Sequence, residues 1–310
     1  MLPLLAQPSR VARLGLLATF PATVPGAALQ WAAFFGELVT RGWVEGRNLL
    51  VEGRYNQGHA ERDDALATEL WAAQPDVILC TSSGAVDAAR RMTRTIPIVM
   101  CGVSHAVEAG FVVSMARPGG NVTGVTNQAG DMQGKFVEML RSVRPGMKRL
   151  GVFWSPSNVG SALAFKDAEL AATRMGLQVV SLPLEQATDI ERALQAADRA
   201  GVQALHVHPT PGVGPAWRRI RDWSIHHKVA TLGQAAWVRE GFLMSYWASN
   251  TDIFRNAAGF VDRILRGARP ADMPVEQPTR FELTLNLKTA RALELKLPQA
   301  LLLQADEVIE

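Results

Sequence analysis

The stretch PGGNVTGVTN, residues 118–127, separates two series of apolar strands and amphipathic helices. Its three glycines can take positive φ angles and absorb changes in backbone dihedral angle, as a hinge requires. An ordinary surface loop would explain the glycines equally well, but it would not explain the β-branched residues, which favour extended backbone: Val122, Thr123, Val125 and Thr126. We therefore predict an extended crossover between two lobes.

Short aliphatic runs alternate with segments of helical length on both sides of this stretch. The alternation is typical of βαβ units around a parallel sheet, and each series has enough strands for a sheet of its own. The sequence therefore predicts an α/β protein with two Rossmann-like, doubly wound lobes. The predicted strands are 13–18, 48–55, 76–80, 97–101, 149–154, 177–182, 204–208, 229–233 and 241–247, and the predicted helices are 27–41, 60–73, 86–93, 132–143, 159–175, 190–200, 217–227 and 252–266.

A third segment, RPADMPVEQPTRFELTLNL at 269–287, carries three prolines before a further strand. Proline fixes φ and removes a backbone donor, so the segment reads as a rigid connector that returns the chain to the other lobe. If it does return the chain there, several segments cross between the lobes. Lobe 1 is placed at 11–122 and 247–278, lobe 2 at 127–243 and 282–310, and the crossings near 123–126, 244–246 and 279–281.

Composition excludes several classes of protein. The 32 Lys and Arg residues exceed the 29 Asp and Glu residues by three and are scattered along the chain, which argues against a nucleic-acid partner. The 48% of hydrophobic residues can fill two cores, yet no run approaches 18 apolar residues. The opening MLPLLAQPSR resembles the tail of a secretory signal peptide, and a cytosolic N-terminus is an equal alternative.

Catalytic and metal-binding signatures are not found, so neither an enzyme nor a cofactor is predicted. The sequence has no GxxxxGK[ST] loop and no GxSxG turn, and GVGPAW at 212–217 lacks the third glycine of a dinucleotide site. His206 and His208 share one face of a strand without nearby acidic residues or cysteines, which is weak as a metal site. Cys80 and Cys101 are read as two small buried residues, although pairing stays open.

Polar and aromatic residues follow the predicted strands, where open α/β sheets bind ligands. Serine and threonine at helix starts often act as caps, and a cap would use only one hydroxyl of the TSSG turn. Hydroxyl and amide groups at such helix starts can also hold an anion. The candidate ligand-binding residues are Thr19, Phe20, Thr81, Ser82, Ser83, Ser104, His105, Asn127, Ser155, Asn158, Ser161, His208, Thr210, Tyr246 and Trp247.

Several strings together resemble the ABC transporter substrate-binding protein family, whose members are often described as tryptophan or tyrosine transport components. The resemblance runs from about residue 11 to the end, and the combined C-terminal string carries most of its specificity. The matching strings are RGWVEGRN with VEGRY (41–55), PIVM (97–100), PGGNVTG (118–124), GFLMSYW (241–247), VDRILRGARPADMPVEQPTRFELTLNLKTARAL (261–293) and ADEVIE (305–310).

The resemblance implies a type I periplasmic binding fold, in which a three-crossing hinge joins two lobes that enclose a small ligand. It also implies an extracytoplasmic receptor, periplasmic or anchored to the membrane, that passes its ligand to an ABC permease. On that basis the N-terminal stretch reads as a truncated signal peptide. We expect a monomer with no cofactor.

This sequence departs from the family in two loops. Family members that resemble amino-acid binders carry an Asp after the PIV strand and another after the central strand of lobe 2, whereas this chain has Ser104-His105 and His208-Pro209 there. A buried ammonium without an anionic partner is costly. We therefore predict an aromatic or apolar carboxylate as the ligand; the alternatives are an aromatic amino acid, or a ligand-sensing domain for a signalling partner.

Overall fold

The computed structural model describes residues 11–127, 132–210 and 212–310, so the signal-like stretch lies outside the described residues. The chain divides into two compact units. Unit 1 comprises the chain up to Asn56, Glu61–Thr126 and Asn250–Glu276, and unit 2 comprises Gln57–Ala60, Asn127–Ser249 and Gln277–Glu310. The crossing placed near 244–246 falls inside a strand of the second sheet, because antiparallel pairing with Phe281–Asn286 holds that segment there.

The described residues alternate strands and helices as the sequence predicts. Short 3-10 turns lie at Ala60–Arg62, Ala187–Asp189 and Pro270–Asp272. The strands are β1 Ala12–Ala18, β2 Leu49–Tyr55, β3 Val77–Cys80, β4 Ile98–Cys101, β5 Val122–Val125, β6 Arg149–Trp154, β7 Gln178–Pro183, β8 Ala204–Val207, β9 Ala230–Leu232, β10 Met244–Ala248, β11 Phe281–Asn286 and β12 Glu307–Ile309. The helices are α1 Pro25–Thr40, α2 Asp63–Ala72, α3 Ser83–Met92, α4 Met132–Val143, α5 Val159–Arg174, α6 Ile190–Ala200, α7 Val213–His226, α8 Ala235–Arg239, α9 Asn250–Leu265, α10 Leu287–Ala292 and α11 Gln299–Gln304.

Unit 1 is built on a parallel five-stranded sheet in the order β2-β1-β3-β4-β5. Strands β3 and β4 are buried along their whole length, as expected for a parallel sheet covered on both faces. Helices α2 and α3 pack together, and α1 packs on α9. This layering brings the carboxyl ends of all five strands to one edge, where residues that follow different strands become neighbours.

Gly124 in β5 shows what one glycine of the opening stretch does. Its φ is +133°, and a Cβ added there would lie 2.2 Å from the carbonyl oxygen of Met100 in the paired strand β4. Both the dihedral angle and the close approach require glycine. The glycine therefore lets β5 pair with the first sheet, and the chain leaves unit 1 two residues later, after Thr126.

Unit 2 is built on a seven-stranded sheet in the order β12-β11-β10-β9-β8-β6-β7, with β10 and β11 antiparallel. The face that carries α4 and α5 packs Phe136, Leu150 and Val152, and the face that carries α6 and α7 packs Phe153 and Leu205. Consecutive residues of β6 thus point to opposite cores, as the two-residue period of a strand requires. The two doubly wound sheets confirm the predicted α/β fold class.

Both cysteines are buried and neither forms a disulfide. Burial raises the pKa of the Cys80 and Cys101 thiols, so both remain protonated near neutral pH. Within the described part of the chain, no group of three or more His, Cys, Asp or Glu residues is arranged to hold a metal ion. No helix of those residues is long and apolar enough to span a bilayer.

Candidate ligand-binding site

The TSSG turn lies at the carboxyl edge of the first sheet, directly after β3. Oγ1 of Thr81 accepts a hydrogen bond from the Thr19 amide at 3.2 Å, which joins the ends of β3 and β1. Oγ of Ser82 accepts one from the Ala85 amide at 3.1 Å and so caps α3. An accepting hydroxyl keeps its proton, so Thr81 and Ser82 can each still donate one hydrogen bond. Ser83 is buried in the first turn of the helix.

Asp63 is a buried acid at the start of α2, and it was not among the predicted site residues. Its Oδ1 accepts a hydrogen bond from Nδ2 of Asn56 at 2.7 Å. A Cβ built on Gly84 would lie 2.7 Å from Oδ2 of Asp63 and 4.0 Å from Oγ of Ser82, so the acid lies against the first turn of α3. Burial is the main influence on its pKa and raises it, while the Asn56 hydrogen bond lowers it.

The signal that would have found Asp63 was present in the sequence. Asn56 follows β2 directly, and Asp63 opens the next helix. The predicted site residues of unit 1 follow β1, β3 and β4, and none of them follows β2. Because polar residues after parallel strands share one edge of the sheet, the residues after β2 indicate a carboxyl group beside the TSSG turn.

Three other predicted residues of unit 1 differ in how they are held. Phe20 has 37% of its surface exposed, while its carbonyl accepts a hydrogen bond from Nε1 of Trp31 at 3.0 Å. Ser104 is half-buried, and His105 is buried with φ at +53°, in the left-handed region. The His105 carbonyl accepts a hydrogen bond from the Ala109 amide at 2.8 Å. Backbone bonds therefore fix Phe20 and His105, and Phe20 keeps an exposed ring.

The predicted Ser155 of unit 2, together with Ser157, binds an acid of its own chain. Oγ of Ser155 donates to Glu185 at 2.8 Å, and both the amide and the hydroxyl of Ser157 donate to the same carboxylate at 2.6 Å. Oγ of Ser161 accepts from the Ser155 amide at 2.9 Å, and Oδ1 of Asn158 accepts from the Ser161 amide at 2.9 Å, capping α5. We call these five residues the Glu185 network.

A second group in unit 2 combines two imidazoles with two aromatic rings, and we call it the imidazole–aromatic cluster: Phe136, His206, His208 and Trp247. The Phe136 and Trp247 rings stack with centroids 5.4 Å apart and planes 6° apart. His206 lies 4.9 Å from Phe136, and His208 lies 6.2 Å from both His206 and Trp247. Trp247 is half-buried, so one end of the stack reaches the surface of the unit.

The remaining predicted residues lie near these groups. Tyr246 stacks on Phe281 of the neighbouring strand, with centroids 5.6 Å apart. The carbonyl of Thr210 accepts from the Val213 and Gly214 amides at the start of α7, and its buried Oγ1 has no hydrogen-bond partner among the described residues. Asn127 is half-buried at the point where the chain enters unit 2.

The two edges therefore offer different chemistry. In unit 1, hydroxyl donors and a buried acid adjoin one helix start, a combination able to bind an anion and a cation side by side. In unit 2, an internal carboxylate occupies the serine hydroxyls. Burial lowers the pKa of His206 to about 3, with a smaller contribution from His208, so this imidazole is neutral at physiological pH.

A family model described as ABC transporter substrate binding protein matches residues 26–309 of this chain. A curated relative from Clostridioides difficile (strain R20291), named tyrosine-binding protein, is 23% identical over 264 residues, which are 85% of this chain and 76% of the relative.

Solved structures agree in fold. A conserved domain protein from Vibrio cholerae has a TM-score of 0.90 at 23% identity and covers 96% of this chain and 100% of its own. An ABC domain from Streptococcus pneumoniae in complex with L-Trp has a TM-score of 0.88 at 22% identity, covering 96% of this chain and 99% of its own. At this level of identity the likeness establishes the type I periplasmic binding fold.

Proposed function

The chain belongs to the ABC transporter substrate-binding protein family, and from that premise we propose that it is the solute receptor of an ABC importer and binds a small carboxylate with an aromatic or apolar body. Family members act outside the cytoplasm in general, so the proposal includes an extracytoplasmic location and a permease partner. Ligand binding, and not catalysis, is the proposed activity.

The observation that carries the ligand class is the TSSG turn with its retained hydroxyl protons. Thr81 and Ser82 already accept hydrogen bonds from backbone amides, and this fixes both side chains before a ligand arrives. Each hydroxyl can then donate to an incoming carboxylate, and the start of α3 favours negative charge. Because the side chains are fixed beforehand, little conformational entropy is lost on binding.

A second candidate, an aromatic amino acid, is favoured by Asp63. Neither Ser104-His105 after β4 nor His208-Pro209 after β8 offers an acid to an ammonium group. Asp63 lies against the start of α3, close to Ser82, and so offers an ammonium partner from a different loop. The names of the tyrosine-binding relative and of the L-Trp complex support the same candidate.

The two candidates make opposite predictions for one substitution. We would measure binding of tyrosine, phenylalanine and tryptophan, and of their deaminated acids, by thermal shift and calorimetry, with wild type and Asp63→Asn. If Asp63 holds an ammonium, the variant loses affinity for the amino acids and keeps its affinity for the deaminated acids. If the ligand is a simple carboxylate, wild type prefers the deaminated acids and the variant binds them at least as well.

Asp64→Asn is the matched control. Asp64 adjoins Asp63 in the sequence but is exposed, so the variant removes a carboxylate without changing the buried one. Failure of wild type to bind any member of either series would contradict the aromatic ligand class.

The importer role has a separate test. We expect the full-length gene product in the extracytoplasmic fraction and permease and ATPase genes beside its own, and ligand uptake should stop when this gene is deleted.

A further inference from the structure

His206 is an imidazole buried in an apolar core with neither ring nitrogen bonded within the described residues. It is 1% exposed. Its register partners across the sheet are Val152 on β6 and Leu232 on β9, and Leu232 pairs in turn with Met244 on β10. Residues in register share a face, so an apolar row surrounds the imidazole within the sheet. An unbonded polar group in such a place is costly, so a structural role alone does not explain a histidine here.

Gln133 is a second buried polar group, and it lies on the helix that covers His206. It precedes Phe136 by three residues on α4, and residues three apart lie on one face of a helix. That face contacts His206, since the Phe136 ring lies 4.9 Å from the imidazole. Gln133 is 5% exposed, and its Oε1 has no hydrogen-bond partner among the described residues.

Ser245 also has a buried hydroxyl without a partner in the described part of the chain, but it belongs elsewhere. It follows Met244 in β10, and successive residues of a strand point to opposite faces. Met244 lies on the His206 face, so Ser245 points to the opposite one, whereas Trp247 at the carboxyl end of β10 departs from this alternation and stacks on Phe136. The unbonded groups on the α4 face are therefore His206 and Gln133.

We propose that His206 and Gln133 form a polar subsite for an uncharged hydrogen-bonding group of the ligand, such as a phenol hydroxyl or an indole N–H. This inference rests on the proposed function and specifies the apolar end of the ligand. A neutral imidazole offers one donor and one acceptor, and the amide of Gln133 adds an acceptor. The adjoining Trp247 supplies a ring on which an aromatic body stacks.

A charged group is excluded from the subsite by the same surroundings. The apolar row within the sheet and the Phe136 ring supply no counter-charge, and burying an unpaired ion is costly. The subsite therefore favours a neutral polar group of the ligand over a charged one.

The test compares ligands that differ by one hydroxyl group. We would measure by calorimetry the binding of tyrosine against phenylalanine and of 4-hydroxyphenylacetate against phenylacetate, with wild type, His206→Leu and His206→Gln. Wild type should prefer the hydroxylated member of the pair it binds by about tenfold, the worth of one hydrogen bond. His206→Leu should lose this preference and keep its affinity for the phenyl member, and His206→Gln, which keeps a donor and an acceptor, should retain it.

The control is His226→Leu, which removes an exposed imidazole from the end of α7 and should leave the preference unchanged. Equal binding of both members of a pair by wild type would overturn the subsite and leave the proposed function standing. A preference that survives in His206→Leu would also overturn it. Binding of no probe at all would defeat the aromatic ligand class, and the subsite would fail with it.

Discussion

The carboxyl edges of the two sheets carry the same residue types in opposite states. In unit 1 the hydroxyls of Thr81 and Ser82 keep their protons for a ligand, whereas in unit 2 those of Ser155 and Ser157 donate to Glu185. The buried titratable groups also differ. Burial raises the pKa of Asp63 in unit 1 and lowers that of His206 in unit 2. Similar positions in two similar lobes thus need not share a function, because the partner of each side chain decides what it can bind.

The largest expected effect is a loss of ligand affinity when the hydroxyls of unit 1 are removed. The double variant Thr81→Val/Ser82→Gly should weaken binding of the best ligand from the panel by about a hundredfold, since two hydrogen bonds to a charged group are lost. Valine keeps the shape of threonine, and glycine is tolerated as a helix cap, so the fold should be retained. Calorimetry gives the affinity and circular dichroism checks the fold. Unchanged affinity in a folded variant would remove these hydroxyls from the site.

The next effect concerns acid stability and His206. Its pKa in the folded protein, about 3, lies below the ordinary value of 6.5, so the unfolded chain binds the proton first as pH falls. The contribution of the neutral His206 to the free energy of unfolding is complete above pH 6.5. Below that pH it decreases by about 1.4 kcal/mol per pH unit. Between pH 7 and pH 5, wild type should therefore lose about 2 kcal/mol more than His206→Leu, measured by urea unfolding. The exposed-site variant His226→Leu should follow wild type, and equal losses in His206→Leu would contradict burial of a neutral imidazole.

A smaller effect distinguishes the serines of unit 2 from those of unit 1. Ser155→Ala/Ser157→Ala should lower the free energy of unfolding by about 1 kcal/mol, because Glu185 loses its two hydroxyl donors but keeps the Ser157 amide and remains exposed to water. Ligand affinity should stay within about twofold of wild type, since these hydroxyls serve the protein itself. Paired unfolding and binding measurements would show this separation. A large loss of affinity would mean that a ligand displaces Glu185, and the contrast between the units would disappear.

The smallest effect is the pH dependence that Asp63 confers. Its pKa is raised in the folded protein, so over the range just above the ordinary Asp value the folded state binds more protons than the unfolded chain. Stability therefore falls as pH rises through this range, the reverse of the His206 effect. Asp63→Asn should remove this decline, as seen in the difference between the melting curves of variant and wild type from pH 4 to 6. A parallel pair of curves would contradict a raised pKa.

Much of the fold could be predicted from local patterns. Strands β3 and β4, buried throughout, follow from the apolar runs DVILC and PIVMC, and Ser82 caps α3 as its position before the helix suggests. The crossing predicted near 244–246 lies inside β10 instead, because pairing of β10 with β11 depends on a segment about 40 residues further along the chain. The family resemblance, carried mainly by the C-terminal string, is confirmed by the match over 26–309.

The sequence by itself determined the α/β class, the order of strands and helices and the polar residues at the strand ends, because hydrophobic period and turn chemistry are local properties of the chain. Only the tertiary structure decided which polar groups meet. Asp63 reaches Gly84 across 21 residues, Glu185 reaches Ser155 across 30, and Phe136 covers His206 across 70. A side chain's pKa, its free hydrogen-bonding capacity and hence its function follow from such distant neighbours, and a local pattern carries no information about them.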